Sequence, residues 1–240
     1  MRIREMTWMD VARYLEGDDR VVLPTGSTEQ HAYLSLATDA LLAERVAVEA
    51  ADPLGVPVYP VVPYGVAPYF AAYPGTVTLA EGTYVALLRD VLESLVRSGF
   101  RRILVVNGHG GNRAAVDAVA AWAGEREGVA LRWHDWWKAP ATKAEVDRID
   151  PTGSHANWME SFPWTRVRGA PVPAGGKAAP DLSDRATLSP AGMRERLGDG
   201  SFGGPYRRSD REMERIWEVA VRETRARLVG EWSGGRGDET

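Results

Sequence analysis

The sequence predicts an α/β fold whose mostly parallel central sheet is covered by helices on both faces. Two observations carry this. Apolar runs rich in Val and Ile recur without polar alternation, which marks strands buried on both faces. Segments of helical period lie between them, the alternation of a parallel sheet with crossover helices. The runs are "RVVLP" from Arg20, "VPVYPVVPYG" from Val56 and "RRILVVNG" from Arg101, with "VALRWHDWW" from Val129 as a fourth.

The helices follow in order. "TDALLAERVAVEAAD" is expected to start with Thr38 as N-cap and to place Asp39 in the first turn, where a carboxylate suits the helix dipole. "TYVALLRDVLESLVRSG" repeats Tyr84, Leu87, Leu88, Val91, Leu92 and Leu95 on one face and stops at Gly99. "NRAAVDAVAAWAGERE" is Ala-rich, and Gly128 is expected to end it. "RGAPVPAGGKAAPDLSD" is rich in Pro, Gly and Ala and reads as a surface excursion. A last helix through "SDREMERIWEVAVRETRARLV" carries Met213, Ile216, Trp217 and Ala220 on one stripe, and "SGGRGDET" reads as a frayed tail. Residues 1–240 are expected to form one domain, with the tail over about 231–240.

Composition narrows the function. Of 240 residues, 44% are hydrophobic, so a sizeable core is within reach. A net charge of −4 and no basic stretch argue against nucleic acid and anionic membranes as partners. With no cysteine, thiolate catalysis, disulfides and Cys-ligated metals are excluded. No secretory leader or membrane span is read, so a cytoplasmic protein is expected.

Ligands in such sheets bind beyond the carboxyl ends of the strands. There the first run leads into "GSTEQHAYLSLATD". Glu29 and His31 are two apart, so on extended backbone they point the same way. The third run leads into "NGHGGN", which sets His109 in a Gly-rich turn. His155 opens "HANWMESF"; if that segment is irregular, His155 and Glu160 can reach one site, and if it is helical they do not share a face. Each signal alone is weak. Most "ExH" pairs are surface residues, and a "GHGGN" turn often only binds an anion through backbone N–H groups. It is not a P-loop, because no Lys-Ser/Thr follows the glycines.

Jointly, two histidines and three carboxylates suit a two-metal site with N and O ligands. A workable division gives one metal Glu29, Asp39 and His109 and the other His31, Asp39 and Glu160, with Asp39 bridging. Such a pair would acidify a shared water and polarise a substrate oxygen. Zinc, manganese and iron all fit these donors.

The stretches "LPTGSTEQHAYLSLATD", "YPGTVTL", "ILVVNGHGGN" and "SHANWMES" together resemble the creatininase (creatinine amidohydrolase) family, in that family's order. The resemblance implies a three-layer α/β/α sandwich, often a homohexamer, with two divalent metal ions per subunit hydrolysing C–N bonds of small cyclic or linear amides. It implies Glu29, His31, Asp39, His109 and Glu160 as metal ligands and His155 as general acid/base. Relatives also act on formamides and a peptide precursor, and some open cyclic keto-polyols by C–C hydrolysis. The departures are local. "HAYLSLATD" is one residue shorter than the usual "HGPHLPLGTD" loop and lacks its second histidine. Gly110 and Gly111 stand where creatininase itself has a glutamate soon after the histidine. "HAGExET" has become "HANWMES". Creatinine itself is therefore not expected as the substrate.

Trp133, Trp136, Trp137, Trp158 and Trp164 are read either as an apolar wall of the site or as ordinary packing. His134 is read as a partner of a site carboxylate or as a structural histidine. Tyr73 and Thr76 of "YPGT" receive no role. Two other classes remain open: a small-molecule binder without catalysis, and a phosphate site at "NGHGGN" without metal, which Glu29 and Asp39 would disfavour.

Overall fold

The computed structural model describes residues 1–232; the remainder of the expected tail lies outside the described residues. Three strands, β1 (Arg20–Thr25), β2 (Arg102–Asn107) and β3 (Ala130–Asp135), form a parallel sheet in that spatial order. The register sets Thr25 beside Asn107 and Asn107 beside Asp135, so all three strands end at one level.

Strand pleating divides the core. Val22, Leu104 and Val106 face one way, against α2 (Thr38–Ala51), α5 (Pro140–Ile149) and α7 (Asp210–Val229). Val21, Leu23, Ile103 and Val105 face the other way, against α3 (Glu81–Ser98) and α4 (Val116–Gly124). The result is helices, sheet, helices. Each fully buried Val, Leu or Ile contributes about 1.5–3 kcal/mol, which explains why "ILVV" is apolar on both faces. A short amphipathic helix, α1 (Trp8–Leu15), precedes the sheet. A strap of β4 (Gly176–Lys177), α6 (Pro190–Leu197) and β5 (Gly204–Pro205) lies between α5 and α7 in sequence. Residues 168–184 are mostly exposed, as expected of an excursion.

Four local expectations are corrected. Residues 56–65 form no ladder strand. Pro57, Pro60 and Pro63 lack the N–H that a ladder needs, and the segment touches β1 only at isolated bridges, Val22 with Val58 and Thr25 with Val62. The N-cap of α2 is Ala37, not Thr38, because the Thr38 hydroxyl donates instead to the Ser35 carbonyl at 2.7 Å. The helix before β3 ends at Gly124 rather than Gly128, which takes φ 75° in the following turn. On α3, Tyr84, Leu88, Leu92 and Leu95 are buried, whereas Leu87 is exposed. The last helix carries Met213, Ile216, Trp217 and Ala220 into the core as its stripe predicts.

Candidate metal centre

The chain leaves β1 at Thr25 and delivers Glu29 and His31 within six residues. Asp39 returns to the same place from the first turn of α2. Gly26 and Gly108 permit this, since a side chain at either would overlap the backbone of Asp39 or Ala40. His109 follows β2. Asn107 fixes the turn, donating to the His109 carbonyl at 2.8 Å and accepting its N–H at 3.1 Å. The "HANWMES" segment is irregular around a single 3-10 turn, Trp158–Glu160. Asn157 pins it, accepting from the N–H groups of Ser154 and Met159 and donating to the carbonyls of Thr152 and Gly203. That irregular path brings both His155 and Glu160 to the site, the first of the two outcomes the sequence left open.

All six residues singled out in the sequence converge. His109 Nδ1 lies 3.2 Å from Glu29 Oε1 and 3.0 Å from Asp39 Oδ2. His31 Nε2 lies 3.0 Å from Asp39 Oδ1 and 3.7 Å from Glu160 Oε2. His155 Nδ1 lies 3.8 Å from Glu29 Oε1. The ligand atoms fall into the groups Glu29–Asp39–His109 and His31–Asp39–Glu160, with Glu29–His31–His155 as a third. Asp39 offers one oxygen to each of the first two. The side chains of Glu160 and His155 are the most exposed of the six, at 13% and 15%, so the site opens on their side.

The donor chemistry fits cations. The Val66 carbonyl lies 3.0 Å from His109 Nε2, and the Glu29 carbonyl 3.1 Å from His31 Nδ1. A carbonyl only accepts, so these outer nitrogens carry the hydrogens and the inner nitrogens are left to bind a second proton or a metal ion. His31 Nε2, Glu29 Oε2 and Asp39 Oδ2 are buried without a hydrogen-bond partner, although His31 and Asp39 are close. Such atoms are close but misaligned for each other, as when several donors aim at a common centre between them.

The electrostatics agree. Burial opposes charge on His31, but Asp39 and Glu160 outweigh it and raise its pKa to about 10. Burial likewise opposes charge on His109, where Glu29 and Asp39 prevail and hold it well above its ordinary value. Burial raises Glu29, and raises Glu160 to about 7. Asp39 moves below the ordinary carboxylate range, because the two histidines overcome its burial. The cluster thus draws in positive charge. His155 is the exception: burial and then the charge of His31 push it well below its ordinary value, which keeps it neutral.

Backbone strain brackets the site. Ala32 and Ala156, each next to a site histidine, have φ of 48° and 56°, where a residue with a Cβ is strained by about 1–2 kcal/mol. Both strained N–H groups are used: Ala32 donates to Gln30 Oε1 at 3.1 Å, and Ala156 to Glu160 Oε2 at 2.6 Å.

Several neighbours escaped the sequence reading. Gln30 Nε2 lies 2.8 Å from His155 Nε2. The Phe70 ring stacks on His155 at 4.7 Å and 9°, and Phe202 packs on it at 4.9 Å. Asn112 joins the strand ends, donating to the Gly26 carbonyl and accepting from the Val66 N–H. Gln30 and Asn112 sit inside the quoted motifs, which is the only signal they give; Phe70 ends a single 3-10 turn, Pro68–Phe70, and Phe202 lies in a loop, neither within a recognisable pattern. Thr76 accepts the Gln30 N–H at 3.0 Å. Tyr73 packs edge-on against Phe70.

The tryptophans are packing residues. Trp136 and Trp158 are buried in the core beneath α2, α5 and α7; Trp137 and Trp164 pack on that core and Trp133 on the opposite one. Of the two readings, packing is the one observed, and Phe162 and Trp217 enclose the rings of Trp136 and Trp164. His134 is structural. Its Nε2 meets Thr224 Oγ1 at 3.0 Å, and burial followed by Arg227 lowers its pKa to about 4.

A family model of creatininase, described as creatinine amidohydrolase, matches residues 4–228. The chain is 32% identical over 114 residues to a creatinine amidohydrolase of Pseudomonas putida, covering 45% of this chain and 44% of that protein. It is 38% identical over 108 residues to a mycofactocin precursor peptide peptidase of Mycolicibacterium smegmatis, covering 42% and 43%. It is 32% identical over 107 residues to a 3-dehydro-scyllo-inosose hydrolase of Thermotoga maritima, covering 44% and 34%. The matched stretches span less than half the length of each of these relatives. Among solved structures, a mutant creatininase of Zn–Zn type superposes with a TM-score of 0.81 at 23% identity, covering 96% of this chain and 98% of that one. A manganese form of creatininase gives 0.80 at 22%, covering 96% and 98%. At these identities the superpositions establish the three-layer fold. With the family model spanning nearly the whole described sequence, the chain belongs to the creatininase (creatinine amidohydrolase) family.

Proposed function

We propose that this chain is a hydrolase that uses two divalent metal ions, zinc, manganese or iron, to cleave a C–N bond of a small amide or lactam. The observation that carries the reading is the placement of Asp39, whose two oxygens belong to two different three-residue ligand groups. Glu29, Asp39 and His109 would hold one ion, and His31, Asp39 and Glu160 the other. Bound there, such ions supply Lewis acidity to a substrate carbonyl oxygen and acidify water near neutral pH.

The chain's own groups do the rest. The Glu29 and Val66 carbonyls orient the two ligand imidazoles. His155, neutral and on the open side, is placed to steady a departing nitrogen with a hydrogen bond from its ring N–H. Phe70 and Phe202 cover its ring and exclude water from it. Ring opening of a cyclic keto-polyol is the second reading, favoured by the likeness to a 3-dehydro-scyllo-inosose hydrolase.

The test is a turnover screen of the zinc- and manganese-loaded protein against lactams, formamides, short peptides and cyclic keto-polyols. Metal is counted on the same sample. Turnover of one class, lost on chelation and restored by metal, is the expected result. Substoichiometric metal after expression in supplemented medium would overturn the reading.

A further inference from the structure

We propose that Gln30 fixes the proton of His155 on Nδ1, making this imidazole a hydrogen-bond donor into the site and excluding it from the metal ligands. Distance alone does not decide between those roles, because Glu29, His31 and His155 also form a compact ligand group. Gln30 decides it. Its Oε1 accepts from the Ala32 N–H at 3.1 Å, and its Nε2 donates to the Gly200 carbonyl at 3.0 Å. A backbone N–H only donates and a carbonyl only accepts, so this amide has one orientation. The other Nε2 hydrogen is left for His155 Nε2 at 2.8 Å. That nitrogen must accept, so the single hydrogen of the neutral ring sits on Nδ1, which faces Glu29 Oε1 at 3.8 Å.

The arrangement inverts that of the two ligand histidines. At His31 and His109 the outer nitrogen donates to a carbonyl, which bares the inner one. At His155 the outer nitrogen accepts from an amide, which protonates the inner one. Phe70 and Phe202 clamp the ring in this orientation. Gly200 belongs to the device: it has φ +98°, and a Cβ there would overlap the Gln30 amide. The use of the Nδ1–H as a hydrogen-bond donor to a leaving group rests on the function proposed above; the tautomer itself does not.

The test is two-bond 1H–15N correlation on 15N-histidine-labelled, zinc-loaded protein, comparing wild type with Gln30→Met, Gln30→Glu and Gly200→Ala. The wild-type spectrum should show His155 with a protonated Nδ1 and a bare Nε2. Gln30→Glu, whose carboxylate can only accept, should place a proton on Nε2. Gln30→Met and Gly200→Ala should erase the tautomer preference while zinc content stays at the wild-type value. A wild-type His155 with bare or metal-bound Nδ1 overturns the proposal, and this arm needs no variant to fold. Zinc lost in Gln30→Met also overturns it, since Gln30 would then support the ligands instead. Failure of every substrate in the turnover screen would sink the hydrolase reading and leave the tautomer result standing.

Discussion

Asp39→Asn should abolish the stabilisation conferred by metal, whereas Glu160→Gln should only halve it. Asp39 contributes Oδ1 to the group with His31 and Oδ2 to the group with His109, while Glu160 belongs to the first alone. An ion present at about a hundredfold its Kd stabilises the folded state by about 2.7 kcal/mol, so two sites give about 5.4 kcal/mol. For a chain of this length 1 kcal/mol moves Tm by about 2–4 °C, so the full shift is about 11–22 °C. Glu160→Gln should keep about 5–11 °C of it, and Asp39→Asn close to none. Each variant is compared with itself, stripped by chelator and reloaded with zinc, because Asp39→Asn also removes an anion from between two imidazoles in the stripped protein. The assay is scanning calorimetry with zinc counted by mass spectrometry. An Asp39→Asn protein whose zinc-linked shift matches that of Glu160→Gln would refute the bridging role.

The remaining predictions concern groups around the centre and the core. Gly111→Ala should weaken zinc binding about 10–100-fold: its Cβ would overlap the Val66 carbonyl that orients His109. Unchanged affinity in a calorimetric titration would count against that orienting role. His134 binds its proton with a pKa of about 4 when folded and about 6.5 when unfolded. Between those values His134 holds its proton only in the unfolded chain, so the contribution of this group to stability is full above pH of about 6.5 and falls by about 3 kcal/mol as pH drops to about 4. Urea melts across this range should show that loss in wild type and less of it in His134→Gln. Trp136→Ala should cost about 3–5 kcal/mol in urea unfolding, since the ring is buried against Phe162 and Trp217; a loss below about 1 kcal/mol would restore a role at the site rather than in the core.

The sheet was legible because β1 and β2 are buried on both faces, and that burial writes an unbroken apolar run, whereas β3 is only part-buried at Leu131, Arg132 and Trp133 and carries polar residues in its run. The run from Val56 looked the same, yet its prolines remove the donors that pairing needs. Composition signals burial, and burial is not pairing. The convergence of Glu29, His31 and His109 was legible because two strand ends place them within a few residues of the sheet edge. Glu160 depended on the "HANWMES" motif, since nothing in its spacing from His155 tells an irregular path from a helix. Gln30, Phe70 and Phe202 were not legible. Their contacts with His155 join positions 30, 70 and 202, and only the closed fold brings those together. The Thr38 cap failed for a local reason: its hydroxyl donates to the carbonyl of Ser35, and Thr38 itself is already inside the helix.

The proline-broken segment beside β1 also bears on how this chain behaves among copies of itself. An exposed sheet edge invites a strand from another molecule to continue the ladder, the first step of aggregation. Here the inward groups of Pro57, Tyr59 and Val62 are spent on β1. The outward groups of Val58 are taken by Met1 and Ile3. The next outward position, Pro60, has no N–H to offer. A foreign strand therefore finds its template interrupted after a single residue, so this flank of the sheet is a poor seed for intermolecular β-structure even when the chain is crowded.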